Sequence, residues 1–413
     1  MANITEPGVN ELWAERGFPT KLLAEARDLG LSDTKLKNLM LQNATRERIE
    51  EEVEWSRRLR DSALHFRQLT PFDDEAFRDL WANSPEAIGD WDVFVERGEN
   101  AFAQFEMQER PVLNGLFDGE TMVACISFSI RRTVVGGKDI VIHYGQAMRV
   151  HNAHRGQRYA HWVRSLPWAV GLGRPTHLQY DYIRSGNMAM DKWNKRFMSR
   201  VESVQQREDN VPGSPVTVMQ YAGKSIAAVR GVRPATADDM ARCAELINLT
   251  HTGRDLFRPY TTESLMERLD AGLMGIATRL RSHWRRPYAL EDFYVMEDGD
   301  EIVACAGLWD RGRDMRERWY HRETGNERNV AVTALLDFGY AQGREDALAA
   351  LIEHLIGMSH QLQRDFLVAP IEGLPQVEAL LAAHEPISET RYMQWRADTP
   401  AITGPIYLDL VYW

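Results

Sequence analysis

Cysteine is scarce in this sequence. Its 413 residues hold three, Cys125, Cys243 and Cys305, far from one another. That rules out a disulfide framework and fits buried free thiols in a reducing compartment. Long apolar runs are also missing, and no stretch approaches the roughly 20 apolar residues of a membrane-spanning helix. The opening MANITEPGVNELWAERG has neither the basic start nor the apolar core of a secretory signal. Nor is there an excess of base: 49 Lys and Arg stand against 60 Asp and Glu, for a net charge of −11. Such a chain is poorly suited to neutralising a phosphate backbone, so no nucleic-acid partner is expected. A cationic substrate such as an amine is compatible with that sign. His151, His154 and His161 lie close together but lack the helical i,i+4 pair of a zinc enzyme, and no cysteine or carboxylate joins them nearby. No metal is therefore expected. The expectation is a cytoplasmic protein with no membrane partner, able to form a homo-oligomer.

The length exceeds one typical domain. Residues 1–62 read as a helical arm. Leu22, Leu23, Ala26 and Leu29 have helical spacing, Gly30 offers a stop, and Ser32 offers the next N-cap. Arg46 to Arg60 is dense in charge of both signs and predicts a solvated helix with i,i+4 pairs.

Beyond the arm the chain repeats. FDGETMVACISF (Phe117 to Phe128) matches EDGDEIVACAGL (Glu297 to Leu308), each an Asp-Gly turn followed by a β-rich run. LTPFDDEAFRDL matches VRPATADDMARCAEL, setting Asp73 against Asp238. RGQRYA (Arg155 to Ala160) matches QGREDA (Gln342 to Ala347). The matches keep their order, which predicts a duplicated α/β domain: residues 63–226, then residues 227–413. In the first copy, Gly137 to Val150 supplies a long strand and Arg158 to Val170 a helix. His177 to Ile183 supplies the next strand, and Asn187 to Phe197 the next helix.

VHNAHRGQRYAHWV (Val150 to Val163) leaves the long strand and opens that helix without an acid in its first turn. A helix start has free N–H groups with partial positive charge, so this one has room for an external anion. The stretch resembles the GCN5-related N-acetyltransferase (GNAT) superfamily, and the duplication resembles its tandem members. Val150, Arg155, Gly156 and Ala160 match the family pattern, while Asn152 replaces its proline and Arg158 its middle glycine. The resemblance implies two tandem GNAT-like domains, each a mixed central sheet flanked by helices, with the arm outside. It implies that Arg155, Gly156, Gln157, Arg158, Tyr159 and Ala160 hold the pyrophosphate of acetyl-CoA or another acyl-CoA. Met148 and Val150 would pair with its pantetheine, and Asn187 matches a family asparagine. The family's general-acid tyrosine is replaced here by Trp193 or Asn194. In the second copy Glu345 stands where a glycine is expected, so that copy is expected to be degenerate.

Transfer to an amine needs a base, a polarised carbonyl and an acid for the thiolate. His143 is a candidate base, or else a satisfied polar residue of its strand. Tyr180 and Tyr182 share one face of the next strand, and either could replace the missing acid or simply pack there. Some tandem members of the superfamily bring a C-terminal carboxylate to the site, which here would be that of Trp413. The leading expectation is an acetyl-CoA-dependent N-acetyltransferase acting directly on the amine of a small molecule or peptide. The alternatives are another acyl transferase, an acyl-CoA decarboxylase, and an inactive acyl-CoA-sensing or partner-binding protein.

Overall fold

The structure, a computed structural model, describes residues 8–31, 33–41, 44–157, 159–160, 163, 178–184, 187, 214–269, 286–395, 402 and 404–413. The arm consists of α1 (Val9–Glu15), α2 (Thr20–Asp28), α3 (Asp33–Leu41) and α4 (Arg46–Arg60). Gly30, at φ +82°, ends the second helical segment. Trp13, Leu23, Ala26, Leu36, Met40, Ile49 and Val53 form a core of the arm's own. The charged helix α4 is therefore amphipathic. It buries Ile49 and Val53 and carries pairs such as Arg46–Glu50 at 2.8 Å on the outside, while Glu52, paired with Arg48, is buried.

Both Asp-Gly turns make hairpins. The first joins β4 (Pro111–Asp118) to β5 (Thr121–Val135), and the second joins β10 (Phe293–Asp298) to β11 (Glu301–Trp309). Each hairpin slips register at the same place, between Leu116 and Phe117 and between Met296 and Glu297. Upstream, β1 (Leu64–Gln68) and β9 (Val232–Pro234) lead into matching caps. The Thr70 amide donates to Asp73 at 2.8 Å, and the Thr236 amide to Asp239 at 2.7 Å. Arg67 pairs with Asp73 as Arg233 pairs with Asp239. Asp73 thus corresponds to Asp239, one residue past the Asp238 expected. The repeated feature is the Thr-x-x-Asp capping turn and not the Asp-Asp pair. Helices α5 (Asp74–Ala82) and α6 (Met240–His251) follow these caps.

The duplicated long strands are β6 (Lys138–Val150) and β14 (Val332–Tyr340). Each bulges at a non-glycine residue of positive φ, Ala147 at +56° and Asp337 at +45°. Later in the chain come α7 (Thr262–Leu269) and α8 (Glu345–Gln361), the latter burying Leu348, Leu351, Ile352 and Leu355 against the sheet. At Gly339 any side chain would collide with the α6 backbone, since a Cβ there would lie 2.4 Å from the Ile247 nitrogen. The fold is α/β, with two GNAT-like copies and an N-terminal helical arm.

Among the described residues the copies share one 12-stranded sheet, ordered β1-β4-β5-β6-β7-β16-β8-β15-β14-β11-β10-β9. Here β7 is Leu178–Arg184, β8 Ser214–Ala222, β15 Phe366–Ala369 and β16 Ile387–Trp395. The strands at the centre are exchanged. The late strand β16 lies between β7 and β8, and β8 pairs with β15 of the second copy. The expected division between residues 226 and 227 falls in the segment linking β8 to β9. A second sheet, β13-β12-β3-β2, also joins the halves. In it β12 (Met315–His321) from the second copy pairs along its whole length with β3 (Trp91–Arg97) from the first. Its outer strands are β2 (Glu86–Ile88) and β13 (Glu327–Val330).

His251, at the end of α6, is 1% exposed and its Nε2 lies 2.9 Å from the Phe338 carbonyl oxygen. Burial, with Arg254 nearby, pushes its pKa down to about 3. The unfolded chain takes up this proton near pH 6.5, whereas the folded chain does not until about pH 3. The stability it contributes is therefore complete above pH 6.5 and is lost as pH falls toward 3. The expected slope is up to about 1.4 kcal/mol per pH unit in that window. Urea unfolding from pH 7.5 to 4.5 should show a shallower slope in His251→Gln than in the parent.

Candidate active site

The first copy opens at its centre. Strands β6 and β7 run parallel and pair only at Ile142–Leu178, His143–Gln179 and Tyr144–Tyr180. Beyond Tyr144, β6 keeps its partner β5, while β7 continues beside β16. The edge of β6 from Gly145 to Val150 is thereby released from β7 and faces a cavity of about 600 Å³. The Ala147 bulge lies on this edge, and the Cys125 thiol donates to the Ala147 carbonyl at 3.2 Å.

At the outer end of the cavity the chain passes a 3-10 turn, Asn152–His154, then Arg155 and Gly156, and enters a helix at Tyr159 and Ala160. Gly156 has φ +86°, a conformation that favours glycine, and a Cβ there would meet nothing within 4 Å. The glycine serves the backbone path rather than relief of internal crowding. Its amide has no hydrogen-bond partner among the described residues. Arg155 donates to the Pro85 carbonyl, which ties the turn to the segment before β2. On the other side of Gly156 and Gln157, α4 presents Glu47, Glu50, Glu51 and Glu54 across a second depression. Arg58 lines that depression as well, and Glu50, Glu51 and Glu54 pair with Arg46, Arg48 and Arg58, whereas the cavity side of the turn is basic.

The basic side comes from the wall. Arg97, Arg149, Arg184, Arg311 and Arg391 all line the cavity. Arg184 pairs with Glu317 at 2.6 Å and with Glu389 at 3.4 Å, and Arg391 pairs with Glu389 at 3.0 Å. Arg149 pairs with Glu86. Burial alone would raise the Glu317 pKa, but Arg184, helped by Arg311 and Arg391, outweighs it and holds that carboxyl down at about 2. Burial likewise opposes ionisation of Glu86, and Arg149 and Arg184 overcome it. Both carboxylates are therefore weak proton acceptors.

The inner end is formed by residues 411–413. The Val411 carbonyl accepts from Gln104 Nε2 at 3.0 Å and from Gln108 Nε2 at 3.2 Å. Tyr144 donates its phenol to the Tyr412 carbonyl. Trp413 is 4% exposed and lines the cavity, with the Arg391 guanidinium 4.1 Å from its ring centroid. Its main-chain oxygen accepts from Arg311 at 3.4 Å.

A duplicated α/β chain with a splayed, bulged central strand and a glycine turn at a helix start can be compared with solved structures. The fold is similar to that of N-myristoyltransferase from Saccharomyces cerevisiae. One structure of that enzyme with bound myristoyl-CoA superposes with a TM-score of 0.55 at 12% identity, covering 84% of this chain and 86% of that one. A second gives 0.54 at 12% identity, covering 84% and 90%. A GCN5-related N-acetyltransferase from Sphaerobacter thermophilus gives 0.44 at 14% identity, covering 82% and 97%. No protein-family model matches the sequence, and no curated protein does. The likeness to the yeast enzyme establishes the tandem GNAT-like fold.

Of the expected cofactor residues, Met148, Val150, Arg155, Gly156, Tyr159, Ala160 and Asn187 all line the cavity. Gln157 lines the depression beside α4, and Arg158 lies outside the described residues. His143 is 5% exposed and is not on the cavity wall, and burial lowers its pKa. Its strand neighbour Tyr144 faces the cavity instead. For Tyr180 and Tyr182 the structure gives the backbone alone: Tyr180 pairs with Tyr144 at the last rung before the splay, and Tyr182 pairs with Met393. Trp193 and Asn194 lie outside the described residues. Arg97, Arg311 and Glu317 escape the sequence reading. They sit on or beside the second sheet, brought to the site by a strand pairing between the two copies that carries no local signal.

Proposed function

We propose that this protein is an acyl-CoA-dependent N-acyltransferase that passes an acetyl group directly to an amine of a small molecule or peptide. The splay carries this reading. It bares the β6 edge from Gly145 to Val150 directly behind a turn whose Gly156 amide has no partner among the described residues. When bound, acetyl-CoA supplies an activated acyl thioester. Met148 and Val150 offer main-chain groups to pantetheine, and the Gly156 amide with the helix start at Tyr159 and Ala160 offers donors to the diphosphate. A short acyl group suits the part of the cavity walled by Arg97, Arg149, Arg184, Arg311 and Arg391, since a long alkyl chain would be placed against charge there.

The amine must lose a proton. Glu86 and Glu317 are held ionised by arginine partners, which makes them poor bases, and His143 is off the wall. The acceptor we assign is the main-chain oxygen of Trp413, which in a chain ending there belongs to a carboxylate. Tyr144 seats the tail at the Tyr412 carbonyl, and Arg311 reaches the Trp413 oxygen only at 3.4 Å, against 2.6 Å for Arg184 on Glu317, so this acceptor is held less tightly in its ionised form. Tyr180 and Tyr182 stay as candidates for protonating the departing thiolate.

Calorimetry with acetyl-CoA and myristoyl-CoA, followed by mass analysis of an amine panel, tests the reading. Acetyl-CoA should bind and an N-acetylated product should form. Gly156→Val should weaken acetyl-CoA binding at least tenfold, because a β-branched residue resists this φ and its side chain crowds the approach to the amide. Absence of binding by any CoA thioester would overturn the proposal.

A further inference from the structure

The cavity wall carries more buried positive charge than its own carboxylates balance. Six arginines line it; Arg155 is exposed, and the other five stand with Glu86 and Glu317 of the wall and Glu389 beside it, ion pairs to which occupy Arg149, Arg184 and Arg391. Arg97 and Arg311 have no Asp or Glu within ion-pair distance among the described residues. Arg311 donates to the Met315 sulfur at 3.2 Å and to the Trp413 main-chain oxygen at 3.4 Å. Even with a carboxylate at Trp413 counted against Arg311, Arg97 is left over.

Arg97 ends β3 and is 8% exposed. Its two terminal nitrogens reach only Gln104 Oε1, both at 3.5 Å, and its Nε has no partner. Its guanidinium lies 3.9 Å from the Trp81 ring centroid, and that of Arg149 lies 4.3 Å from the same ring. Arg149 Nε and Trp81 Nε1 are unpartnered as well. A buried guanidinium normally finds a hydrogen-bonded anion, because an uncompensated buried charge is costly. Here a planar fork of donors at the end of a cavity meets no carboxylate among the described residues. Burial first, then Arg149 and Arg311, push the Arg97 pKa down to about 9, which marks the local excess of positive charge.

We propose that Arg97, with Arg149 and Arg311 beside it, is a specificity-determining site for a carboxylate carried by the substrate. The inference rests on the acyl-transfer reading and names the substrate class. A carboxylate accepts two parallel N–H bonds from a guanidinium, a match that neither a hydroxyl nor an amide makes as well. The carboxylate can arrive on the amine acceptor, as in an amino acid, or at the far end of a dicarboxylic acyl thioester. Either source brings the same group to the same arginines. A long apolar acyl chain does not.

The test compares matched pairs. One arm sets succinyl-CoA against butyryl-CoA. The other sets free amino acids against the corresponding primary amides, with acetyl-CoA as donor. Affinity is read by calorimetry and transfer as kcat/KM by product mass. In one of the arms the carboxylate member should be favoured at least tenfold, and the arm that responds identifies the source. In Arg97→Met the ratio within that arm should fall to within about twofold of one, with Arg97→Lys intermediate. A merely structural loss, as when Arg97 only packs on Trp81, would lower both members together and keep the ratio. Circular dichroism and Arg311→Met guard against a variant that fails to fold. Equal treatment of the members in both arms, or a ratio that survives Arg97→Met, overturns the proposal while leaving acyl transfer standing. Failure of every CoA thioester to bind overturns both.

Discussion

Asp337→Ala is expected to destabilise the fold by about 3–5 kcal/mol, the usual consequence of taking one partner from a buried ion pair. The Asp337 side chain is fully buried at 0% exposure and accepts from Arg268 at 2.7 Å and from the Tyr260 phenol at 2.7 Å. The Tyr407 phenol approaches it at 3.4 Å. Arg268 also holds Asp409 at 2.9 Å, four residues before Trp413. Removing Asp337 leaves a buried guanidinium with one carboxylate instead of two, and two phenols without their acceptor. Urea unfolding followed by tryptophan fluorescence measures the change, and a loss below about 1 kcal/mol would contradict this account. The double change Asp337→Ala with Arg268→Leu should recover part of the loss, because no buried charge is then stranded. Asp337 occupies the bulge that Ala147 occupies in the first copy. The first bulge faces a cavity, whereas the second anchors residues 407–409 that lead into the site.

The second large effect is on turnover. With Trp413 as the last residue, adding one glycine after it converts the carboxylate to an amide, which accepts a proton far less readily. Loss of a positioned general base costs about 10²–10⁴ in rate, and a fall in kcat of that order is expected, with the dissociation constant for acetyl-CoA changed much less. The pH profile should change too, losing its acidic limb in the extended chain. A variant with full kcat would remove Trp413 from the chemistry and leave the Tyr144–Tyr412 hydrogen bond as a purely structural contact. Seating of the tail by Gln104, Gln108 and Arg391 does not involve the carboxylate, so the extended chain should still fold.

Much of this was legible in the residues because its causes are local. The Asp-Gly turns predict the two hairpins, since glycine takes positive φ at little cost. The capping boxes at Thr70 and Thr236 rest on residues three apart. The glycine turn at Arg155-Gly156 and the long strand before it place the cavity. The alignment of Asp73 with Asp238 slips by one because the eye follows the acidic pair, whereas the chain repeats the cap. Other features depend on contacts between distant residues and leave no periodic trace. Nothing in ISETRYMQW announces that this strand slots between β7 and β8. Nothing in WDVFVER announces that Arg97 meets Arg311 and Trp413 in one cavity. His143 and Tyr144 sit on opposite faces of one strand, and only the packing decides which of them looks into the gap.

The exchanged strand also governs when this protein becomes competent. Synthesis delivers β6, β7 and the glycine turn early, but residues 387–413 supply the strand beside β7 and the inner wall of the same cavity. A nascent chain on the ribosome therefore carries only a half-built pocket with a bare β7 edge. The cavity is not closed until residues 387–413 have been made and have taken their places in the sheet.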